Sequence, residues 1–221
     1  MFRQLRLLIW KDLRSELRRK EQVGGVLLFV LLATLILNFA LPPAKEVKMW
    51  VPGIIWVIFV FAGTIGLNKA FTPEKENGCL AGLTLAVGPG MIFLSKAMTT
   101  VVLLLTVEAV TFPLIMLLFS YKPEGSLLLF AIVAFFVTTG FASIGVFIAA
   151  LTSYTKNSEL LLPVLLFPLL VPLVIGAVEI SVALLNGQPA AEWLGWLKLV
   201  GAFDLIYLVV PWLLFDYLVE V

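Results

Sequence analysis

Residues 23–41 run for 19 residues without a single charge, and that stretch rules out most soluble folds. A helix in a soluble domain needs only one apolar stripe, whereas 18 or more consecutive apolar residues suffice to cross the hydrocarbon core of a bilayer. Comparable runs follow at residues 51–68, 97–119, 127–151, from 160 to 177 or beyond, and at 199–219. Hydrocarbon offers no water to bond backbone N–H and C=O groups, so a chain crosses it as helices or as a closed barrel. Runs of this length select the helix. The reading is an all-α integral membrane protein with six transmembrane helices, forming one transmembrane domain over residues 1–221. Composition agrees, since 62% of the 221 residues are hydrophobic and only 13% charged, against about 25% charged in a soluble domain.

The residues ahead of the first run have a different pattern. Within residues 1–22, Phe2, Leu5, Ile9, Leu13 and Leu17 recur every three or four positions, as one helix face requires. Arg3, Arg6, Lys11, Arg14, Arg18, Arg19 and Lys20 surround them. This predicts an amphipathic helix lying in the headgroup plane, with its cations on anionic lipid; a solvated basic tail is the alternative. A cleaved secretory signal is not expected, because the 19-residue run exceeds the roughly 7–15 residues of a signal core and no A-x-A site follows it.

Lys and Arg in the connecting segments orient the spans. With the N-terminus in the cytoplasm, the inner segments hold eleven cations, including Lys69, Lys75, Lys96 and Lys156, and the outer ones four, Lys45, Lys48, Lys122 and Lys198. Both termini are then cytoplasmic. Trp50, Trp193 and Trp196 fall at the outer interface, where amphipathic rings accumulate.

Several chemistries lack their residues. There is no histidine, which removes the commonest general base and metal ligand, and the one cysteine, Cys79, can form neither an internal disulfide nor a thiolate cluster. No metal site and no catalytic residues are expected. A net charge of +1 gives no field for nucleic acid. No G-x-x-x-x-G-K-[ST] phosphate loop occurs, so ATP hydrolysis by that route is excluded for this chain.

Within the spans, Glu108 and Asp204 are the candidate functional residues. A carboxylate at the centre of a bilayer costs about 2.5–3.5 kcal/mol on the insertion scale, so Glu108 should face a neighbouring helix or a wet cavity. It serves either a pathway or inter-subunit contact, or a structural hydrogen bond to a neighbouring backbone carbonyl. Asp204 is placed about one turn into the last span, within reach of the outer interface. Pro163, Pro168 and Pro172 break the fifth span, giving either a static kink or a helix that moves. Gly140, Ala142, Ser143, Gly145 and Ala149 allow close packing of the fourth span.

The longest polar connection, containing residues 71–90, holds the densest set of helix signals. Thr72 can cap a helix, Pro73 fits its first position, and Glu74 and Glu76 suit its positive end. Leu80, Leu83 and Val87 then share one face, and Gly88-Pro89 ends the element. Such a helix either docks in a partner's groove or rests on lipid.

The pattern E-x-E-x-G-x-L-x-x-L, formed by Glu74, Glu76, Gly78, Leu80 and Leu83, resembles the ATPase-coupling element of ABC-2-type transporter permeases. The basic start from Lys11 to Arg18, the segment from Pro52 to Trp56, that from Gly66 to Phe71, Val107-Glu108, and the proline-rich run from Leu160 to Pro172 narrow the resemblance to the haem exporter protein B family. The last span carries the least of it. The resemblance implies a permease subunit acting in cytochrome c biogenesis in the bacterial inner membrane. It further implies a homodimer, a separate cytoplasmic ABC ATPase and other membrane maturation factors as partners. Haem would be a transient cargo, or be carried by a chaperone that the complex releases, and not a tightly bound cofactor. Two alternatives stay open: a permease of the same superfamily for a drug, lipid or polysaccharide, and a proton-coupled secondary transporter using Glu108.

Overall fold

Small residues decide which helix lies at the centre. The structure, a computed structural model, describes residues 2–18, 20–41, 47–68, 70–71, 87–153, 155 and 157–219. Its helices are α1 (Phe2–Arg18), α2 (Lys20–Ala40), α3 (Val47–Leu67), α4 (Pro89–Leu118), α5 (Leu127–Ser153), α6 (Ser158–Leu185) and α7 (Ala190–Val219). Helix α5 carries Gly140, Ala142, Ser143, Gly145, Ala149 and Ala150, all buried, and packs against α3, α4, α6 and α7. Gly145 lies against the side chain of Leu67 on α3, where a Cβ would collide with it. Lipid is as apolar as leucine, so close backbone approach, more than hydrophobicity, drives helices together in a membrane.

Two apolar clusters hold the bundle. The larger joins α3, α4, α5, α6 and α7 around Trp56, Phe93, Phe141, Leu166 and Phe215, and the smaller joins α2, α3 and α4, with Phe130 of α5 and Leu185 of α6, around Val30, Val51, Ile58 and Ile115. Trp56 reaches across to α6, its Nε1 donating to Ser181 Oγ at 2.8 Å. Helices α4 and α7 bury only 17% of their most apolar stretches, against 56% for α5. Their exposed apolar faces are what a bilayer would cover.

Among the described residues, five helices are long and apolar enough to span: Met49–Leu67 within α3, then α4, α5, α6, and Ala190–Leu218 within α7. The six-span expectation differs at α2, whose apolar part, Gly24–Ala40, is 17 residues, the lower end of the usual range. Helix α2 nevertheless joins the two ends of the bundle. Val26 lines a cleft with Lys96 at one end, and Asn38 Nδ2 donates to the Leu118 carbonyl at the other, 2.8 Å away.

Helix boundaries also differ from the sequence reading. The N-terminal helix stops at Arg18, and α2 already begins at Lys20. Helix α4 starts at Pro89, not residue 97, so Lys96 is two turns inside it. Gly88 adopts φ 79°, open to glycine without strain, and Pro89 takes the first position, so the pair opens α4. Helix α6 is not broken by its prolines but runs continuously through Pro163, Pro168 and Pro172 to Leu185; neighbouring helices in a bundle tolerate the lost hydrogen bonds. Helix α7 begins at Ala190, so the Trp193 and Trp196 segment is helical and partly buried against the larger cluster. In each case polar or aromatic residues extend a helix beyond its apolar run, because a helix can continue into the interface.

Candidate functional site

The end of the bundle that carries α1 is tied together by one lysine. Lys96 projects from α4, 6% exposed, and its Nζ donates to the Ala70 carbonyl at 2.9 Å. The same nitrogen lies 3.6 Å from Asp12 Oδ1 on α1, both side chains being 7% exposed, and 5.5 Å from the centre of the Phe71 ring. Asp12 also meets its exposed neighbour Lys11 at 3.1 Å. A buried carboxylate is tolerable only when paired, and here the pair joins α1, the end of α3 and the start of α4. On the other flank, Trp212 of α7 stands against Gly90, its indole Nε1 2.9 Å from where a Cβ would sit. Residues 70–71 and 87–90 are the two stems of the long connection. One is held by Lys96 and the other by α7, which puts the last turns of α7 at the same end as α1.

The second constellation lies halfway along the bundle, where α5 separates two acids. Thr138 Oγ1 donates to Glu108 Oε1 of α4 at 2.8 Å. Two residues on, about 3 Å along the helix axis, Gly140 faces α7, and a Cβ there would collide with the Asp204 carboxyl. Both oxygens of Asp204 are buried and have no hydrogen-bond partner among the described residues. Asp204 is therefore not one turn from the outer interface. It lies 14 residues past Ala190, about 21 Å along the helix, because α7 begins earlier than its apolar run. Glu108 borders a cavity of about 330 Å³ lined by Trp56, Phe59, Phe112 and Phe130.

Glu74, Glu76, Gly78, Leu80 and Leu83, the coupling pattern of the sequence, lie outside the described residues, as do Cys79 and the proposed helix between the two stems. Glu108 and Asp204 are brought to one level but kept apart by α5. Sequence reasoning missed Asp12 and mistook Lys96 for the edge of a span. A signal for both existed: Asp12 interrupts the apolar face of α1, three residues after Ile9, and Lys96 precedes a long apolar run that a longer helix would absorb.

Fold and sites together define a multi-pass helical membrane protein whose long polar connection is clamped at both stems. The profile of the CcmB protein family matches residues 3–216, and the chain belongs to that family. It is similar to heme exporter protein B of Rhodobacter capsulatus, with 29% identity over 204 residues, 85% of this chain and 92% of that protein. It is also similar to heme exporter protein B of Pseudomonas aeruginosa, with 26% identity over 204 residues, 90% of each.

Proposed function

We propose that this chain is the membrane permease subunit of an ABC transporter complex in cytochrome c biogenesis. The observation that carries the reading is the family match over nearly the whole chain, with relatives whose names specify haem export. The complex sits in a bacterial inner membrane with both chain termini in the cytoplasm, the side assigned by the excess of cations. ATP hydrolysis belongs to a separate cytoplasmic ATPase, and the chain works as a homodimer beside other maturation factors. Haem is cargo, either crossing the membrane or leaving on a chaperone that the complex releases.

The clamped stems supply a mechanical rationale. A force applied to residues 72–86 has two exits into the bundle. One runs through Ala70 and Phe71 to Lys96, and so to α1 and α4. The other runs through Gly90 to Trp212 on α7. Closure of an ATPase dimer against Glu74, Glu76, Leu80 and Leu83 would thus move three helices together. A double Glu74→Lys, Glu76→Lys variant should reach normal membrane levels yet fail to copurify the ATPase and fail to mature cytochrome c, since like charges facing each other at an interface cost several kcal/mol. Leu80→Asp or Leu83→Asp should do the same. Pull-down from solubilised membranes, with a reporter fused after Lys156 to verify the side, is the measurement. Wild-type ATPase binding by all these variants would refute the coupling role.

A proton-coupled reading draws on one specific observation, the two acids Glu108 and Asp204 at mid-bundle depth, where ionisable residues often mark relays. It requires no ATPase, so the same pull-down separates the two readings.

A further inference from the structure

Three prolines divide α6 into halves that are held differently. A proline inside a helix has no N–H for the carbonyl four residues upstream, so Pro163, Pro168 and Pro172 leave the carbonyls of Glu159, Val164 and Pro168 without that bond. All three precede Leu173. In that first half the buried side chains form a single stripe, Leu162, Leu166 and Leu170, and Leu160 and Val164 are largely exposed. From Leu173 to Leu185 most positions are buried. This second half is also tied at two places. Ser181 Oγ accepts from Trp56 Nε1 on α3, and the Leu185 carbonyl accepts from the backbone N–H groups of Glu124 and Gly125 at 2.8 and 3.3 Å. Few buried contacts and missing backbone bonds mark a segment that opens locally, and they mark the first half alone.

Helix α7 has a matching weakness at a matching depth. Pro211 lies inside it, which frees the carbonyl of Tyr207. Tyr207 is 12 residues from Val219, where α7 ends, and Leu169 is 11 residues from Ser158, where α6 starts, so each stands about 17–18 Å from that end of its helix. There the Tyr207 hydroxyl donates to the Leu169 carbonyl. Among the described residues, it is the one hydrogen bond that reaches the first half of α6 from another helix. Past Pro211, α7 is joined to the stem of the long connection. Trp212 stands against Gly90, and the Phe215 ring lies 5.4 Å from that of Phe93.

We propose that α6 and α7 share a hinge at Pro168, Pro172 and Pro211, with the Tyr207 hydroxyl as the pin that holds the two bends in register. Movement of the stem at Gly90 turns the end of α7 about Pro211. Through the pin, residues 158–169 of α6 follow, while residues 173–185 stay fixed on α3 and on the turn at Glu124 and Gly125. A bend of about 20° over the roughly 14 Å from Leu169 back to Leu160 moves that end of α6 by about 5 Å. As a step in transport the hinge rests on the permease reading; as a property of the two helices it does not.

The test is hydrogen–deuterium exchange of the full chain in lipid nanodiscs, read by mass spectrometry. In wild type, peptides from residues 158–169 should exchange at least about tenfold faster than those from 173–185. Tyr207→Phe keeps the ring and removes only the hydroxyl. It should speed exchange in 158–169 about threefold further, the worth of one interhelical hydrogen bond in a membrane protein, and leave 173–185 and α5 unchanged. Pro168→Ala combined with Pro172→Ala gives back two backbone donors and should slow 158–169 at least about threefold. That double variant should still copurify the ATPase yet lose most cytochrome c maturation. Uniform exchange along α6, an unchanged rate in Tyr207→Phe, equal acceleration of both halves, or full maturation by the proline double variant would each overturn the hinge. The exchange measurement needs no partner and ATPase binding is read separately, so failure of the hinge is distinct from failure of the permease reading.

Discussion

The clamped end and the mid-bundle acids treat charge in opposite ways. At the end, Asp12 and Lys96 are both buried yet face each other, and Lys96 adds a backbone carbonyl and an aromatic face. Halfway along, no cation faces either acid among the described residues: Glu108 has a hydroxyl, and Asp204 has only the space that Gly140 leaves for it. The difference shows how each region tolerates change. A charge pair in low dielectric is intolerant of losing either partner, which makes this end a rigid joint. Acids without cations, held by one weak bond or by shape alone, can be replaced by neutral isosteres, which suits packing that can rearrange.

The largest expected effect comes from breaking the pair. Lys96→Met takes away the buried partner of Asp12 and leaves it facing the exposed Lys11 at 3.1 Å, and should cost up to about 3–5 kcal/mol, seen as a loss of thermal stability in detergent and of membrane level. Adding Asp12→Leu should restore much of it, because an apolar pair of similar volume can replace a buried ion pair. Failure of that rescue would mean that the joint depends on charge and not on burial.

Shape complementarity at Asp204 should give an intermediate effect. Gly140→Ala puts a methyl into the acid and should cost about 1–3 kcal/mol through overpacking. The same change in an Asp204→Ala background should be nearly neutral. If Gly140→Ala is neutral by itself, α5 and α7 are not packed at this level as closely as described.

The smallest effects should come from the acids' own chemistry. Thr138→Val removes one interhelical hydrogen bond, worth about 0.6 kcal/mol on average and about 1.7 at most in a membrane protein. Glu108→Gln and Asp204→Asn should combine additively within about 0.5 kcal/mol, since α5 stands between them. A coupling energy above about 1 kcal/mol, measured by a double-mutant cycle of thermal stabilities, would show that the acids sense each other and would sharpen the proton-relay reading against the mechanical one.

Much of this was legible in the residues before the fold was known. The runs at 51–68 and 127–151 correspond closely to α3 and α5, because a break in hydrophobicity and the turn residues around Pro123 and Gly125 mark their ends. The runs at 97–119 and 199–219 came out short. Their helices continue through Lys96 and Lys198, and a charge tolerated at the interface, or paired inside the bundle, looks like a loop to any reading based on polarity. The misplaced start of α7 moved Asp204 from mid-bundle to the interface in the sequence reading. The mid-bundle glycine of α5 was visible as a small residue, but nothing in the sequence says that its missing side chain makes room for a carboxyl 64 positions away.

By itself, the sequence determined the class of protein, the order of the spans and the separation of a basic end from an aromatic one. Those follow from the cost of exposing polar backbone to hydrocarbon and from the distribution of charge, both of which are local quantities. Only the tertiary structure decided which helix is central, which face of each span is inside, and which charge meets which. In water an apolar stripe announces the buried face. In a bilayer the lipid and the protein interior are equally apolar, so a span such as α5 is hydrophobic all round. Its orientation is then set by where backbones can approach and where a few polar atoms find partners, and those partners lie far away along the chain.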